Sequence, residues 1–129
     1  MTSGVLVDAC AIIAFTSDSD SLSHEGYEIM SEAPCLVSPM TVWEITRKVG
    51  LGKLPALPPE PSRDLIGWLT ARRYEPAPLD WRIAQAAASL PNHHRDPMDR
   101  ILIATARALG VPIVTCDAIF RAYGVETIW

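Results

Sequence analysis

The sequence predicts an α/β fold, a three-layer α/β/α sandwich in which helices cover both faces of a short, mainly parallel central sheet. Short apolar runs alternate with helical patterns along nearly the whole chain, which is typical of a parallel sheet with helical crossovers. The chain has 129 residues, and a domain of this size buries about two thirds of the surface of its unfolded form. We therefore expect residues 1–129 to form a single domain without a disulfide or a structural metal.

The composition of the chain argues against several classes of protein. Lysine and arginine total 11 against 15 aspartates and glutamates, a net charge of −4, which argues against binding nucleic acid through bulk positive charge. No apolar run approaches the roughly 20 residues that span a bilayer, and the N-terminus lacks the pattern of a secretory signal. The cysteines are far apart, at positions 10, 35 and 116, which favours buried thiols in a cytoplasmic protein.

In the first half of the chain, two strands and three helices are predicted. "GVLVDAC" is a β-branched run that ends in an acid, as in a buried parallel strand, and "PCLVSP" is a second strand bounded by prolines. "AIIAF" is predicted to form a short helix, and another helix is expected from about Leu22. "MTVWEITRKVGLGKL" is predicted to be a helix that ends at Gly50 and Gly52.

In the second half, the proline-rich link "PALPPEP" is expected to run over the surface, and "SRDLIGWLTARRY" is predicted to be one helix. Its inner side is expected to carry four apolar residues: Leu65, Ile66, Leu69 and Ala71. Two further helices are predicted, "PLDWRIAQAAASL" capped by Asp80 and "DPMDRILIATARALG" ending at Gly110. "VPIVTCDAIFRAYG" predicts a strand, a turn and a short helix, and "VETIW" predicts a final strand.

Four acids are expected at one edge of this sheet. Asp8 ends the first strand, and Asp117 lies just beyond the strand "PIVT". Glu44 is in the first turns of the helix after "CLVS", and Asp99 is in the first turn of the helix before "PIVT". Ligands of open α/β sheets bind outside the carboxyl ends of the strands, so this topology allows the four carboxylates to converge.

Converging carboxylates need a partner. Two carboxylates about 4 Å apart repel by roughly 4 kcal/mol at an effective dielectric of about 20, so such acids take up protons or bind cations. Oxygen ligands suit Mg²⁺ or Mn²⁺ better than zinc. Such a cation activates water and stabilises charge on a phosphate, which points to phosphodiester hydrolysis.

Each acid also has a purely structural interpretation. Asp8 and Asp117 could cap the helices that follow them, and Glu44 could be a surface acid near a helix N-terminus. Asp96, followed by a proline, fits an N-cap, and Asp99 fits the acidic partner of a capping box. Taken together, these interpretations leave unexplained why so many acids fall on one edge.

The adjacent histidines His93 and His94 lack the helical i, i+4 spacing of familiar zinc motifs. Solvent exposure is the simple interpretation for His93. The alternative is a loop position that orients Asp99 or contacts phosphate.

Three segments resemble the PIN-domain family, and are most similar to its VapC-like toxin ribonucleases in the branch with a D-P-F-D-R motif: "VLVDACAIIAF", "SPMTVWEITRKVGLGKL" and "LPNHHRDPMDRILIATARALGVPIVTCDAIFRAYGVETIW". The resemblance covers nearly the whole chain in order, and the link around Pro58 and Pro59 is its least specific part. Cys10 replaces the usual Ser or Thr of the first motif, which puts a hydroxyl role there in doubt. Met98 replaces the usual Phe, and neither change removes a ligand.

The resemblance implies a ribonuclease that cuts RNA with Mg²⁺ or Mn²⁺ held by an acidic quartet. Four positions match that quartet: Asp8, Glu44, Asp99 and Asp117. Asp8 and Asp99 are expected to be direct ligands. Three further residues are expected to support the acids or contact the substrate: Thr115, Arg100 and His94.

The resemblance further implies the toxin of a type II toxin–antitoxin pair, inhibited by a VapB-like antitoxin and paired as a homodimer. Two other functions remain open. A non-catalytic PIN-like module that binds RNA or protein would have no reason to keep four repelling carboxylates. A receiver-type phosphoacceptor domain resembles the chain in length, but it carries an acidic pair after its first strand and a lysine after its last, whereas here Asp8 stands alone and "VETIW" brings no lysine.

Overall fold

The computed structural model describes residues 4–129 and is built on a five-stranded parallel sheet. The strands, in chain order, are β1 Val5–Val7, β2 Cys35–Val37, β3 Glu75–Pro76, β4 Ile113–Val114 and β5 Thr127–Ile128. Their spatial order is β3-β2-β1-β4-β5. The central strand β1 therefore lies between β2 and β4, with Leu6 paired to Leu36 on one side and to Ile113 on the other.

Seven α-helices and one 3-10 helix connect the strands of the described chain. The α-helices are α1 Ala9–Thr16, α2 His24–Glu32, α3 Pro39–Gly50, α4 Pro59–Arg63, α5 Leu65–Ala71, α6 Trp81–Ala88 and α7 Pro97–Leu109, and the 3-10 helix is Ala118–Tyr123. Most begin at a Ser or Asp whose side chain accepts a backbone N–H of the first turn: Asp8, Ser23, Ser38, Asp64, Asp80, Asp96 and Asp117. Gly110 ends α7 in the left-handed conformation, φ 68°, which glycine adopts without steric cost.

Side chains alternate along β1 between two core layers, because successive residues of a strand point to opposite faces of the sheet. Val5 and Val7 pack in a layer with α1, α2, α3 and α5. Leu6 packs in the other layer with α7 and the 3-10 helix. Helices thus cover both faces, which confirms the predicted three-layer α/β/α sandwich.

Several predicted elements differ from the observed ones. The helix predicted from about Leu22 begins at His24, after the cap Ser23. The proline-rich link is not wholly a surface connection, because its last residues start α4 and Pro61 is buried. Asp64 then breaks the single helix predicted after the link, and in the shorter α5 the side chain of Ile66 is 68% exposed.

Two other expectations need correction. Ala71, expected on the inner side of its helix, is exposed. Of the three thiols, all free, only Cys35 is buried, whereas Cys10 is half-buried and Cys116 is exposed. Within residues 4–129, no helix combines the length and the apolar character needed to cross a membrane.

Candidate metal centre

Asp8 joins the end of β1 to the start of α1. One carboxylate oxygen, Oδ1, accepts the backbone N–H of Ala9 at 2.7 Å, so the residue does cap the helix. The other oxygen, Oδ2, accepts the hydroxyl of Thr115 at 2.8 Å. The side chain is only 8% exposed. Asp8 therefore does more than cap α1, because it also contacts the end of the neighbouring strand.

Thr115 connects two of the predicted acids. It follows β4 and is buried, and its hydroxyl oxygen accepts the backbone N–H of Asp117 at 3.1 Å while donating to Asp8. The exposed Asp117 in turn caps the 3-10 helix through a 3.0 Å bond from the N–H of Ile119. One hydroxyl thus fixes the ends of two adjacent strands relative to each other.

The two acids at the start of α7 have different environments. Asp96 is exposed and accepts the N–H of Met98 at 3.0 Å, which confirms the predicted N-cap. Asp99 is half-buried, and its Oδ2 lies 2.6 Å from Nε2 of His94. In the described chain the Asp99 carboxylate bonds this imidazole rather than the backbone N–H of Asp96, so it does not complete a capping box.

His94, Asp99 and Asp117 form a group of candidate ligands. One ligand atom from each of these residues lies within 4.8 Å of the other two. Asp8 lies close enough to Asp99 for its charge to raise that pKa, and Glu44 lies close enough to Asp8 to do the same. Asp99 and Asp117 are thus grouped with an imidazole, Asp8 interacts with Asp99, and Glu44 interacts with Asp8.

The pKa values of two acids reflect this crowding. Burial raises the pKa of Asp8, and repulsion from Glu44 adds to it, although hydrogen bonds from Thr115 and Ala9 oppose the change. Burial also raises the pKa of Asp99 from its usual 3.8 to about 6, with repulsion from Asp8 and Asp96 adding to it and the His94 hydrogen bond opposing it. A positive charge would therefore stabilise both carboxylates.

Glu44 is half-buried on α3 and is paired with a residue that sequence reasoning missed. The ammonium of Lys48, one turn further along the helix, donates to its Oε2 at 2.7 Å. That hydrogen bond raises the pKa of Lys48, and the charges of Asp96 and Asp8 add to the effect. The E-x-x-x-K spacing was the available signal, since residues four apart share a helix face.

Arg100 supports the loop that carries His94. The side chain is 9% exposed, and its guanidinium donates to five backbone carbonyls at 2.7–3.3 Å. These carbonyls belong to the end of α6 and to the loop after it: Ala87, Ala88, Leu90, Pro91 and His94. All of its donors are thus used within the protein, which fits a supporting role better than contact with substrate.

Cys10 occupies the position at which the first motif usually has the hydroxyl of a Ser or Thr. Its Sγ lies 3.7 Å from Oδ2 of Asp8 and 3.7 Å from the hydroxyl of Thr115. It also accepts the N–H of Cys116 at 3.2 Å. Burial, with the Asp8 charge adding to it, raises the pKa of this thiol, so Cys10 fills the space between two strand ends as a neutral group.

The family model described as PIN domain matches residues 5–126, which is nearly all of the chain and includes each of the four acids. The chain belongs to the PIN domain family. PIN domains are typically nucleases and generally use divalent metals. No curated protein matches the chain.

Two solved structures are similar to this PIN domain. The crystal structure of FitAcB from Neisseria gonorrhoeae has a TM-score of 0.64 at 19% identity and covers 97% of this chain and 96% of that one. The structure of FitAB bound to an IR36 DNA fragment has a TM-score of 0.66 at 20% identity, with 96% and 93% covered. At this identity the likeness supports the fold, which extends over the whole PIN domain.

The donor atoms of this PIN domain fit a divalent cation that prefers oxygen. Carboxylates dominate the site, and burial raises the pKa values of Asp8 and Asp99, so a bound cation would stabilise their charged forms. Mg²⁺ and Mn²⁺ both accept such oxygen ligands. Among the described residues, the group of candidate ligands holds two carboxylates and an imidazole and no cysteine, whereas structural zinc sites usually include thiolates.

Proposed function

We propose that this PIN domain is an Mg²⁺- or Mn²⁺-dependent endoribonuclease and the toxin of a type II toxin–antitoxin pair. The observation that carries the proposal is the grouping of Asp99, Asp117 and His94 within 4.8 Å, with Asp8 bound to the same strand end through Thr115. Asp99 and Asp117, predicted from separate parts of the sequence, are grouped with His94, and Asp8 is linked to Asp117 through Thr115. A purely structural role for all of them does not account for that grouping.

Asp8 and Asp99 are the proposed direct ligands, and Glu44 and Asp117 complete the acidic quartet. Although both oxygens of Asp8 already accept one hydrogen bond, each carboxylate oxygen has two lone pairs. A bound divalent cation would neutralise the acids, polarise the phosphodiester and activate the attacking water. Lys48, paired with Glu44 at the rim, adds a positive charge that an incoming phosphate can contact.

Charge supports a cation-dependent reaction. The protein carries a formal net charge of −4, and its most crowded acids lie where the strands end. Without a cation, that surface repels a polyanion such as RNA. Binding and cleavage of RNA should therefore both require the metal.

Cleavage of RNA by the purified protein tests the enzymatic part. We expect cleavage with Mg²⁺ or Mn²⁺ and none in excess EDTA, and a DNA strand of the same sequence tests the preference for RNA. A preparation of Asp99→Asn made in parallel controls for contaminating nuclease. Undiminished cleavage in EDTA, or equal cleavage by the Asp99→Asn preparation, would exclude the proposed mechanism.

An antitoxin is the proposed protein partner. Antitoxins in VapC-like pairs often place a basic C-terminal segment in the acidic site, and arginine suits it because it forms bidentate bonds with carboxylates. The structural similarity to FitAB, a complex solved with DNA, is compatible with such a partner. Expression of this chain alone should arrest growth, and co-expression of an antitoxin-like protein, sought in the reading frame directly upstream, should restore it. Normal growth with abundant folded protein would contradict the toxin role.

A second copy of the chain is the other proposed partner. Ile66, exposed on α5, lines an open apolar groove of about 300 Å³ with Val42, Leu69 and Tyr74. Pairing through helices, as the family resemblance implies, would cover this groove. Light scattering should report a dimer that Ile66→Glu converts to a monomer, and a monomeric wild-type protein at high concentration would contradict the pairing.

A further inference from the structure

Tyr123 joins the 3-10 helix to the loop between α6 and α7, although it is far from that loop in sequence. Its ring is buried in the core layer beneath α7. Its hydroxyl donates to the carbonyl of Pro91 at 2.8 Å and accepts the backbone N–H of His94 at 2.8 Å. A rigid aromatic ring thus holds both ends of a short loop segment.

Hydrogen bonds hold both the backbone N–H and the backbone carbonyl of His94. Its N–H donates to Tyr123, and its carbonyl accepts a 2.9 Å hydrogen bond from Nη1 of Arg100. With the backbone held in this way, the imidazole meets Oδ2 of Asp99 at 2.6 Å. The Tyr123 hydroxyl and the Asp99 carboxylate therefore each hydrogen-bond His94, one at its backbone and the other at its ring.

We infer that Tyr123 is a positioning residue of the metal centre, whose hydroxyl holds His94 so that the imidazole orients the Asp99 carboxylate toward the cation. The inference rests on the proposed function, because it assumes that Asp99 is a metal ligand. With Oδ2 held by His94, Oδ1 is left to bind the cation. Hydrogen bonds of this kind commonly alter metal affinity by 10–100-fold when their donor is removed.

Among the described residues, the Tyr123 hydroxyl hydrogen-bonds only Pro91 and His94. The ring itself packs in the core and lies edge-on to His93, with ring centroids 5.1 Å apart. Phenylalanine would keep that packing and lose only the two hydrogen bonds. Tyr123→Phe therefore separates the positioning role from the packing role.

Calorimetric titration of Mn²⁺ into metal-free protein measures the effect directly. We expect Tyr123→Phe to bind Mn²⁺ about 10-fold more weakly than wild type. Tyr27→Phe is the control, because Tyr27 lies on α2 and stacks on Phe15 in the core layer on the opposite face of the sheet. It should bind Mn²⁺ as wild type does. Circular dichroism in EDTA checks that both variants are folded.

Variants of His94 test whether Tyr123 acts through that residue. His94→Ala should weaken Mn²⁺ binding by about 10-fold or more, and His94→Gln, which keeps an N–H donor, should restore part of it. Adding Tyr123→Phe to His94→Ala should cause no further loss, because the link is already broken. The His94 side chain is 29% exposed, so its replacement should leave the protein folded. The His94 variants therefore still test the positioning role if Tyr123→Phe does not fold.

The outcomes separate this inference from the proposed function. If wild type and Asp99→Asn bind Mn²⁺ equally, the metal centre itself is wrong and both proposals fall. If Asp99→Asn loses binding but Tyr123→Phe or His94→Ala matches wild type, only the positioning role is overturned. Effects of Tyr123→Phe and His94→Ala that multiply in the double variant would also overturn it.

Discussion

The starts of helices α1 and α6 look alike in sequence and differ in structure. Both are capped by an aspartate: Asp8 accepts the N–H of Ala9 at 2.7 Å, and Asp80 accepts that of Ile83 at 2.9 Å. Asp80 is exposed. Asp8 is buried, and its second carboxylate oxygen accepts the hydroxyl of Thr115 from the adjacent strand.

The difference shows that capping and a role in the metal centre are compatible in one residue. A cap needs one acceptor oxygen close to the helix N-terminus. Asp8 supplies that oxygen and also places a buried carboxylate beside other acids at the end of the sheet. Burial raises the pKa of this carboxyl. Burial and the neighbouring strand end, rather than the cap itself, distinguish the two sites.

Replacing the charge at each site gives the largest expected contrast. Asn caps a helix about as well as Asp, so both Asp8→Asn and Asp80→Asn should keep their helices. Asp8→Asn removes a proposed ligand and should reduce RNA cleavage more than 100-fold, on the order of 3 kcal/mol in the barrier. Asp80→Asn should cleave at the wild-type rate. The comparison fails if both variants are equally active.

Thr115 is the contact that Asp8 has and Asp80 lacks. Thr115→Val keeps the shape of the side chain but removes the hydroxyl that bonds Asp8 and Asp117. Mn²⁺ affinity, measured by calorimetry, should fall about 10-fold or more, and Thr115→Ser should retain most of it. If the valine variant binds Mn²⁺ as tightly as wild type, the hydroxyl does not organise the centre.

The pH dependence of stability reports on the Asp99 carboxyl. The pKa of Asp99 is raised from 3.8 to about 6 in the folded protein. Its stabilising contribution to the free energy of unfolding is therefore fully present below about pH 4. It is lost as pH rises through 6. The full change corresponds to roughly 3 kcal/mol, which solvent near a partly exposed side chain reduces to about 1–2 kcal/mol.

Asp99→Asn lacks this titration. Measured by urea unfolding in EDTA, its stability relative to wild type should therefore rise between pH 4 and pH 7 by about 1–2 kcal/mol. A relative stability of Asp99→Asn that falls over this range would mean that the folded protein favours the charged carboxylate.

The exposed caps give the smallest expected effects. Asp96→Asn and Asp80→Asn should each change the free energy of unfolding by only a few tenths of a kcal/mol, whereas replacement by Ala should cost about 1 kcal/mol. Thermal melts in EDTA measure both. A loss of several kcal/mol in Asp96→Asn would show that its carboxylate has a role beyond the cap.

The sequence was enough to predict the layers and the positions of Asp8 and Asp117 after adjacent strands, because the strands of a parallel sheet end at one edge. It did not predict β3, since Glu75–Pro76 is two exposed residues long and has no hydrophobic alternation. The inward placement of Ile66 was wrong because Asp64 interrupts the helix and starts a new one. Short elements of this kind depend on their neighbours more than on their own residues.

The residues around the acids were harder to predict than the acids themselves. Lys48 carries a local signal, because it lies four residues after Glu44 on one helix. Tyr123 carries none, since it contacts a loop residue 29 positions away and tertiary packing alone brings them together. For His94, the interpretation that it orients Asp99 gains support from the 2.6 Å contact between the two side chains, whereas His93 is exposed, as its simple interpretation predicted.

The most direct test of the central claim compares RNA cleavage in Mn²⁺ by Asp99→Asn and Asp96→Asn. The two acids lie three positions apart at the start of α7, and only one of them is grouped with His94 and Asp117. We predict that Asp96→Asn cleaves at nearly the wild-type rate and that Asp99→Asn does not cleave. Wild-type cleavage by Asp99→Asn, or loss of cleavage only in Asp96→Asn, would contradict the assignment of the metal centre.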